Sequence, residues 1–156
     1  MAVGEFTFTD PGFLAVRKGT IDLENDTIVA VLIDNAHTPS VVNDNEWSDI
    51  SANECASADY TASFAEGHVV TGLTWSQTSS RNFKLDANDL DFGNTATIEG
   101  RYIYLLKRAG ASLASTDLIV GYMDLNDGGS ANVSSTNGNF DVAWNASGLY
   151  TESITP

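Results

Sequence analysis

Two apolar segments in the second half of the chain limit the folds that this sequence can adopt. Residues 101–107 read Arg-Tyr-Ile-Tyr-Leu-Leu-Lys, and residues 118–123 read Leu-Ile-Val-Gly-Tyr-Met. Both are rich in β-branched and aromatic residues, and a connector of mostly small residues separates them. That arrangement is typical of two antiparallel strands, so the sequence predicts a sheet built around this pair.

Further strand signals occur along the rest of the chain. The run 27–34 is almost continuously apolar and β-branched, which is typical of a strand buried on both faces. Shorter signals and turn pairs lie at 6–8, 68–75, 83–85, 89–92, Gly128-Gly129, Asn137-Gly138, 140–144 and 149–151. About eight to ten short strands separated by turns predict an all-β fold, a jelly-roll-like antiparallel sandwich or barrel.

A short helix signal lies near the N-terminus. Asp10 followed by Pro11 is typical of an N-cap and a first helical residue, and Gly19 is typical of a helix end. These residues predict a helix of two turns that ends at Lys18. A strand through 13–16 is the second interpretation of the same segment.

The length of 156 residues is that of one domain, which we expect to span 1–156. Residues 1–13 read as an extended arm. Residues 40–59 read as a long polar loop with Trp47 and Ile50 as its only large anchors. A loop of this length in a β domain often binds another molecule.

The acidic charge of the chain limits its partners. The formal net charge is −14, and residues 19–80 contain ten acidic residues but no lysine or arginine. Nucleic-acid phosphates and anionic lipids repel such a chain, so we expect no nucleic acid and no membrane as partners. No apolar run approaches the roughly 18 residues of a membrane span. A signal-peptide pattern is not evident, so we expect synthesis in the cytoplasm.

The sequence shows no constellation typical of an enzyme. His37 and His68 are the only histidines, and neither lies in a metal-spaced or triad-like context. The single cysteine, Cys55, cannot form an intramolecular disulfide. No Gly-x-Ser-x-Gly motif or phosphate-binding glycine loop occurs. We therefore predict no catalytic residues, no metal and no cofactor.

Calcium is one interpretation of two oxygen-rich segments. The first contains Asp86, Asn88, Asp89 and Asp91, and the second is Asp-Leu-Asn-Asp-Gly at 124–128. Short loops of this kind can supply the oxygen ligands that calcium needs. Neither segment fits the calcium-loop pattern with its distant glutamate, so solvated turns are the favoured interpretation.

Short motifs from residue 19 onward carry a resemblance to a known family. They are 19–32, Thr38-Pro39, 47–54, Tyr60-Thr61, 87–90, 96–102, 118–124 and 138–148, the last reading Gly-Asn-Phe-Asp-Val-Ala-Trp-Asn-Ala-Ser-Gly. In this order they resemble a group of small virion proteins of tailed bacteriophages, the capsid decoration or cement proteins. The resemblance covers nearly the whole chain from about residue 19.

The resemblance implies a protein that binds the outside of an expanded phage head as a homotrimer between capsomers. The partner that it implies is the major capsid protein, and the location is the capsid surface of the virion. From the character of their segments, we expect Phe6, Phe8, Trp47 and Ile50 to supply capsid or subunit contacts.

Two other functions stay open. A tail-fibre or receptor-binding module is also β-rich and trimeric, and recognises a glycan through exposed tryptophan or tyrosine rings. A small hydrolase needs a pair of carboxylates, and twenty-one acidic residues allow many pairs. The fold class does not distinguish among these functions.

Overall fold

The strands predicted at 101–107 and 118–123 form the centre of the fold. A computed structural model describes residues 4–155. Within that range the strands are β1 (Thr7–Phe8), β2 (Ile28–Ile33), β3 (His68–Val69), β4 (Thr74–Ser79), β5 (Asn82–Asp86), β6 (Leu90–Asp91), β7 (Ala96–Gly100), β8 (Tyr102–Lys107), β9 (Leu118–Asp124), β10 (Val133–Gly138), β11 (Asp141–Val142) and β12 (Tyr150–Ser153). The helices are α1 (Asp10–Arg17), α2 (Trp47–Ile50), α3 (Ala58–Phe64) and a short 3-10 helix (Ser51–Asn53).

Five strands form the largest sheet, in the order β1-β9-β8-β2-β3, with every neighbouring pair antiparallel. In its register Tyr104 of β8 lies opposite Tyr122 of β9 and Val31 of β2. Three smaller antiparallel sheets pair β10 with β7, β11 with β6, and β12 with β5 and β4. The prediction of an all-β antiparallel fold is confirmed, in the form of a sandwich.

The apolar run of β2 is explained by two cores on opposite faces of the large sheet. Alternate residues from Ile28 to Leu32 lie in a large core shared with the smaller sheets. The residues between them, from Val29 to Ile33, lie in a smaller core beneath α2 and the connector 108–117. Strand side chains alternate between faces, so a strand covered on both sides needs a continuous apolar run. The predicted burial of β2 on both faces is confirmed.

The N-terminal helix is confirmed, with a different residue at its cap. Thr9 is the N-cap, and its Oγ1 accepts a hydrogen bond from the Gly12 N–H at 3.1 Å. Thr9 is buried against β9 while Asp10 is exposed, so tertiary packing selects the threonine. Gly19, at φ +70°, follows the end of the helix as predicted. The alternative of a strand at 13–16 is wrong.

The predicted N-terminal arm and the predicted long polar loop both contain regular structure in the described residues. Strand β1 pairs with β9, so residues 4–13 are part of the fold and not an extended arm. Residues 1–3 of that arm lie outside the described range. The segment 40–59 contains α2, the 3-10 helix and the start of α3, so its second half is partly helical while residues 40–46 form turns and extended chain.

Three other local predictions differ from the structure. The strand expected at 68–75 is divided into β3 and β4, with Gly72 between them at φ +70°. The turn expected at Asn137-Gly138 lies inside β10, where Asn137 has φ +47° next to an irregularity in the strand register. Strand β10 has no sequence signal because serine, threonine and asparagine dominate it. Among helices in residues 4–155, none is long and apolar enough to cross a bilayer.

Candidate interaction surface

An apolar groove separates α1 from the sheet formed by β4, β5 and β12. Its volume is about 400 Å³. We call it the α1 groove, and its lining residues are Phe8, Phe13, Val16, Arg17, Trp75, Phe83, Glu152 and Ile154. The first four form the wall on the side of α1, and the last four form the wall on the side of the sheet.

The helical wall depends on the close approach of α1 to β9. A Cβ atom at Gly12 would lie 2.3 Å from the carbonyl oxygen of Val120 and 2.5 Å from that of Ile119. The helix backbone therefore rests directly on the strand. The Phe13 ring contacts the ring of Phe8 edge-on, with centroids 5.6 Å apart, and this contact joins the helix to β1.

The sheet wall is an apolar face that continues past the core. Phe83 and Leu85 are two residues apart on β5, and Trp75 of β4 pairs with Leu85. All three side chains therefore lie on the same face of the sheet. Leu85 is fully buried, whereas Phe83 and Trp75 are only half-buried. The face that packs on the core at one end therefore lines the open α1 groove at the other.

Large apolar side chains in the groove remain accessible to solvent. Phe13 is 37% exposed and Ile154 is 53% exposed. An ion pair between Arg17 and Glu152 connects the two walls, and the Arg17 guanidinium carbon lies 4.9 Å from the centroid of the Phe13 ring. Two exposed apolar side chains in one groove, with half-buried aromatic rings and a charged pair beside them, are compatible with a contact surface.

A second cleft, of about 380 Å³, lies between residues 4–6 and 143–151. Three aromatic residues line it: Phe6 is 5% exposed, Trp144 is 8% exposed, and Tyr150 is half-buried with its ring edge-on to Phe8. Because the rings of Phe6 and Trp144 already pack in the core, they offer little surface to a partner. The α1 groove is therefore the stronger candidate for an interaction surface.

The four residues predicted to make capsid or subunit contacts have different environments. Phe6 is 5% exposed and lies in the large core, and Ile50 is 0% exposed and lies in the small core. The folded chain therefore does not present these two side chains at its surface, which corrects that prediction. Phe8 is half-buried and lines the α1 groove. Trp47 is half-buried against the small core.

The groove residues that the sequence did not identify come from distant parts of the chain. Phe13 and Ile154 are close in the fold but lie near opposite ends of the sequence. Trp75 and Phe83 belong to strands whose apolar residues are expected to pack in the core. The helix signal at 10–18 was the only local indication, because it places Phe13 on a helix beside Val16.

His37 lies in a buried polar cluster that its sequence context did not indicate. Its Nε2 lies 3.0 Å from Asp44 Oδ2 and 3.1 Å from the hydroxyl of Tyr104. The same Asp44 oxygen accepts hydrogen bonds from the Tyr104 hydroxyl at 2.6 Å and from the Ser40 N–H at 2.9 Å. The Tyr104 ring stacks on Tyr122, with centroids 5.3 Å apart. We call His37, Asp44 and Tyr104 the His37 cluster.

The chemistry of the His37 cluster favours a structural role. Burial raises the pKa of Tyr104, and its hydrogen bond to Asp44 raises it further, so the hydroxyl stays protonated and donates. Asp44 is 4% exposed and Tyr104 is 0% exposed, so a substrate could reach only His37. The hydrogen bonds of the cluster hold residues 37–44, which follow β2, against the middle of β8.

The second histidine and the cysteine also have structural contacts. His68 Nε2 lies 3.0 Å from the carbonyl oxygen of Asp91, and the ring stacks on Phe64 with centroids 5.0 Å apart. These contacts join β3 to β6 and α3. Cys55 is 3% exposed, and its Sγ lies 3.3 Å from Ser57 Oγ.

The oxygen-rich segments considered for calcium are engaged in local contacts. Asp86 pairs with Lys84 at 2.7 Å, and this hydrogen bond lowers the pKa of Asp86. Asp89 accepts from the Trp144 N–H, and Asp124 pairs with Arg101 at 2.9 Å. Across residues 4–155, no group of three or more His, Cys, Asp or Glu side chains is arranged to hold a metal ion.

Comparisons with known proteins leave the function to be inferred from the molecule itself. No family model matches this chain, and searches of curated proteins and of solved structures give no match. The proposal of a function therefore starts from the sequence motifs and from the geometry of the α1 groove.

The half-buried carboxyl group of Glu54, shortly before α3, leads to a prediction about pH. The Tyr60 hydroxyl donates to Glu54 Oε1 at 2.9 Å and accepts from the Leu32 N–H at 3.2 Å. Burial raises the pKa of Glu54, although the hydrogen bond from Tyr60 opposes this. The pKa of Glu54 is thus higher in the folded state than in the unfolded chain, where a glutamate has a pKa of about 4.3. The free energy of unfolding therefore falls as the pH rises above about 4.3.

Glu54→Gln keeps an acceptor for Tyr60 and removes the titrating charge. We expect the variant to gain free energy of unfolding relative to the wild type as the pH rises from 4 to 7. Urea denaturation at several pH values measures this difference, with the exposed Glu99→Gln as the matched control. Parallel pH profiles for Glu54→Gln and the wild type would contradict the assignment.

Proposed function

We propose that this chain is a virion structural protein that decorates and stabilises the exterior of a tailed-phage capsid. In this proposal it binds as a trimer between capsomers, with the major capsid protein as its partner and no enzymatic role. The α1 groove is the contact surface. The resemblance of the motifs from residue 19 onward supports the biological setting, and the groove is the observation that carries the proposal.

The groove offers the physical means of binding a protein. It contains two of the five large hydrophobic residues that are exposed in the described chain, Phe13 and Ile154, next to the half-buried Trp75 and Phe83. Filling it removes apolar and aromatic surface from water, which is the main favourable term in association. Aromatic residues in pockets often contribute most of the binding energy of an interface.

The first test compares two substitutions on the same helix. Phe13→Asp places a charge in the α1 groove, whereas Leu14→Asp places the same charge at a residue that is 52% exposed and does not line the groove. Purified variants are mixed with expanded heads that lack the protein, and binding is measured by co-sedimentation. We expect Phe13→Asp to weaken binding about thirtyfold, or about 2 kcal/mol, and Leu14→Asp to bind like the wild type.

Circular dichroism provides the control for folding of both variants. If folded Phe13→Asp binds heads as well as Leu14→Asp does, the groove is not the contact surface. If the wild type itself does not bind expanded heads, the proposed function is wrong.

A carbohydrate-binding module remains the second candidate, favoured by the half-buried Trp75 ring in the groove. Trp144 is not suited to that role, because its ring is 8% exposed and its Nε1 donates to the Asn88 carbonyl oxygen at 2.7 Å. Binding to a glycan array that is lost in Trp75→Ala, without binding to heads, would favour this candidate over decoration.

A further inference from the structure

Strand β4 leaves one side of its backbone without a neighbouring strand. In the described residues it pairs only with β5, and the register of the pair is regular from Thr74 to Gln77. Residues 74–79 read Thr-Trp-Ser-Gln-Thr-Ser, with no charged side chain and no proline. An uncharged strand edge of this kind can pair with a strand of a second molecule.

The other outer strands have features that oppose such pairing. β1, β3, β6 and β11 contain two residues each, β12 carries Glu152, and β10 has an irregularity in its register with β7. On the other side of β7, the Thr97 N–H donates to Asp59 at 2.6 Å and the Glu99 N–H donates to Ser57 Oγ at 3.2 Å. Short strands, charges and irregularities of this kind protect sheet edges from pairing with other molecules.

At β4 a single carboxylate lies where a neighbouring strand would lie. The Trp75 N–H points away from β5 and donates to Glu24 Oε1 at 2.9 Å. Because strand N–H groups alternate in direction, the N–H of Gln77 faces the same edge. A strand added there would need the Trp75 N–H as a donor, and Glu24 already accepts from it. The added strand would therefore have to displace a charged side chain.

The turn at 22–26 holds Glu24 in position. Asp22 Oδ1 accepts hydrogen bonds from the N–H of Glu24 at 3.1 Å and from the N–H of Asn25 at 3.2 Å. Asp26 Oδ2 accepts from the Asp22 N–H at 2.8 Å and pairs with Lys107 at 2.8 Å. Lys107 is the last residue of β8, so these contacts tie the turn to the large sheet. A fixed segment therefore presents Glu24 to the edge of β4.

We infer that Glu24 is an edge-protecting residue, which prevents β4 from pairing with β4 of a second copy of this chain. Two identical strand edges can pair antiparallel around a two-fold axis, and uncharged strands place no like charges opposite each other. In the wild type, each Glu24 occupies the donor of its own strand, and the two carboxylates would repel each other across such a contact. The inference does not depend on the proposed function.

Sedimentation velocity of purified Glu24→Ala tests this inference. Removing the carboxylate leaves the Trp75 N–H without its acceptor. We therefore expect self-association at least about tenfold tighter than that of the wild type, with species of twice the wild-type mass. The measurements are made in about 0.5 M salt, which screens the general repulsion between acidic chains. Glu24→Gln keeps a side-chain oxygen acceptor, and we expect it to associate less than Glu24→Ala does.

Two controls separate the position of Glu24 from its charge. Asp127→Ala removes one carboxylate at an exposed turn position, and we expect it to sediment like the wild type. The second control combines Glu24→Ala with Gln77→Pro. Proline removes the other outward N–H of this edge and leaves the pairing of β4 with β5 intact, so we expect the double variant to return to the wild-type mass. Circular dichroism checks that each variant is folded.

Three results of sedimentation would overturn the inference. They are a folded Glu24→Ala that sediments like the wild type, equal association of Asp127→Ala, and association that persists in the double variant. Hydrogen exchange of the wild type adds a test that needs no substitution. We expect the Trp75 amide to exchange more slowly than the Gln77 amide, and equal rates would contradict the contact with Glu24.

Discussion

Replacing Asp44 by alanine is expected to lower the free energy of unfolding by about 3–4 kcal/mol. The substitution removes the acceptor shared by the Tyr104 hydroxyl, the Ser40 N–H and His37 Nε2. Tyr104 is fully buried, so its hydroxyl keeps only the contact with His37 Nε2 at 3.1 Å, and the Ser40 N–H loses its side-chain acceptor. A buried polar group that loses its partner costs more than the hydrogen bond contributed.

Chemical denaturation of Asp44→Ala and Asp44→Asn measures the effect. The asparagine variant keeps an oxygen acceptor, so we expect it to lose less than the alanine variant. Asp127→Ala, at an exposed position in a turn, is the control and should stay within about 0.5 kcal/mol of the wild type. If Asp44→Ala were as stable as this control, the segment after β2 would not depend on the His37 cluster.

Replacing Gly12 by alanine is expected to destabilise the protein by about 2 kcal/mol, although alanine is the better helix former. Helix propensity alone favours alanine over glycine by about 1 kcal/mol. Against this, the new Cβ would lie 2.3 Å and 2.5 Å from the backbone oxygens of Val120 and Ile119. Backbone atoms in a central sheet cannot move aside easily, so the steric cost of about 3 kcal/mol decides the sign.

The control for this substitution is Gly110→Ala, where the nearest atom to a new Cβ is 3.8 Å away. We expect it to have little effect in the same denaturation experiment. Because α1 forms one wall of the groove, Gly12→Ala is also expected to weaken binding at the groove. An unchanged or higher stability of Gly12→Ala would mean that the helix does not rest on β9 as described.

The parts of the fold that the sequence predicts correctly have strong local patterns. Strand β2 is apolar at every position, and its burial on both faces follows from that pattern alone. The pair of β8 and β9 is predicted for the same reason, because both are long and rich in β-branched and aromatic residues. Local patterns fail where a residue's role depends on tertiary packing, as in the selection of Thr9 over Asp10 as the helix cap.

The functional surface is harder to predict because it depends on residues that are distant in sequence. Phe6 and Phe8 look alike in the sequence, yet one lies in the core and the other in the α1 groove. The His37 cluster joins a histidine and an aspartate of one connection to a tyrosine of β8. Neither arrangement has a period or a spacing that marks it in the sequence.

The central claim of decoration is tested most directly by where the protein lies in the virion. For this test, intact tailed-phage particles produced from a genome that contains this coding sequence are labelled with antibody against the chain and imaged by electron microscopy. The account predicts label spread regularly over the head, with trimers at three-fold positions in a reconstruction of the same particles. Label confined to the tail or its fibres, or no label on any particle, would contradict it.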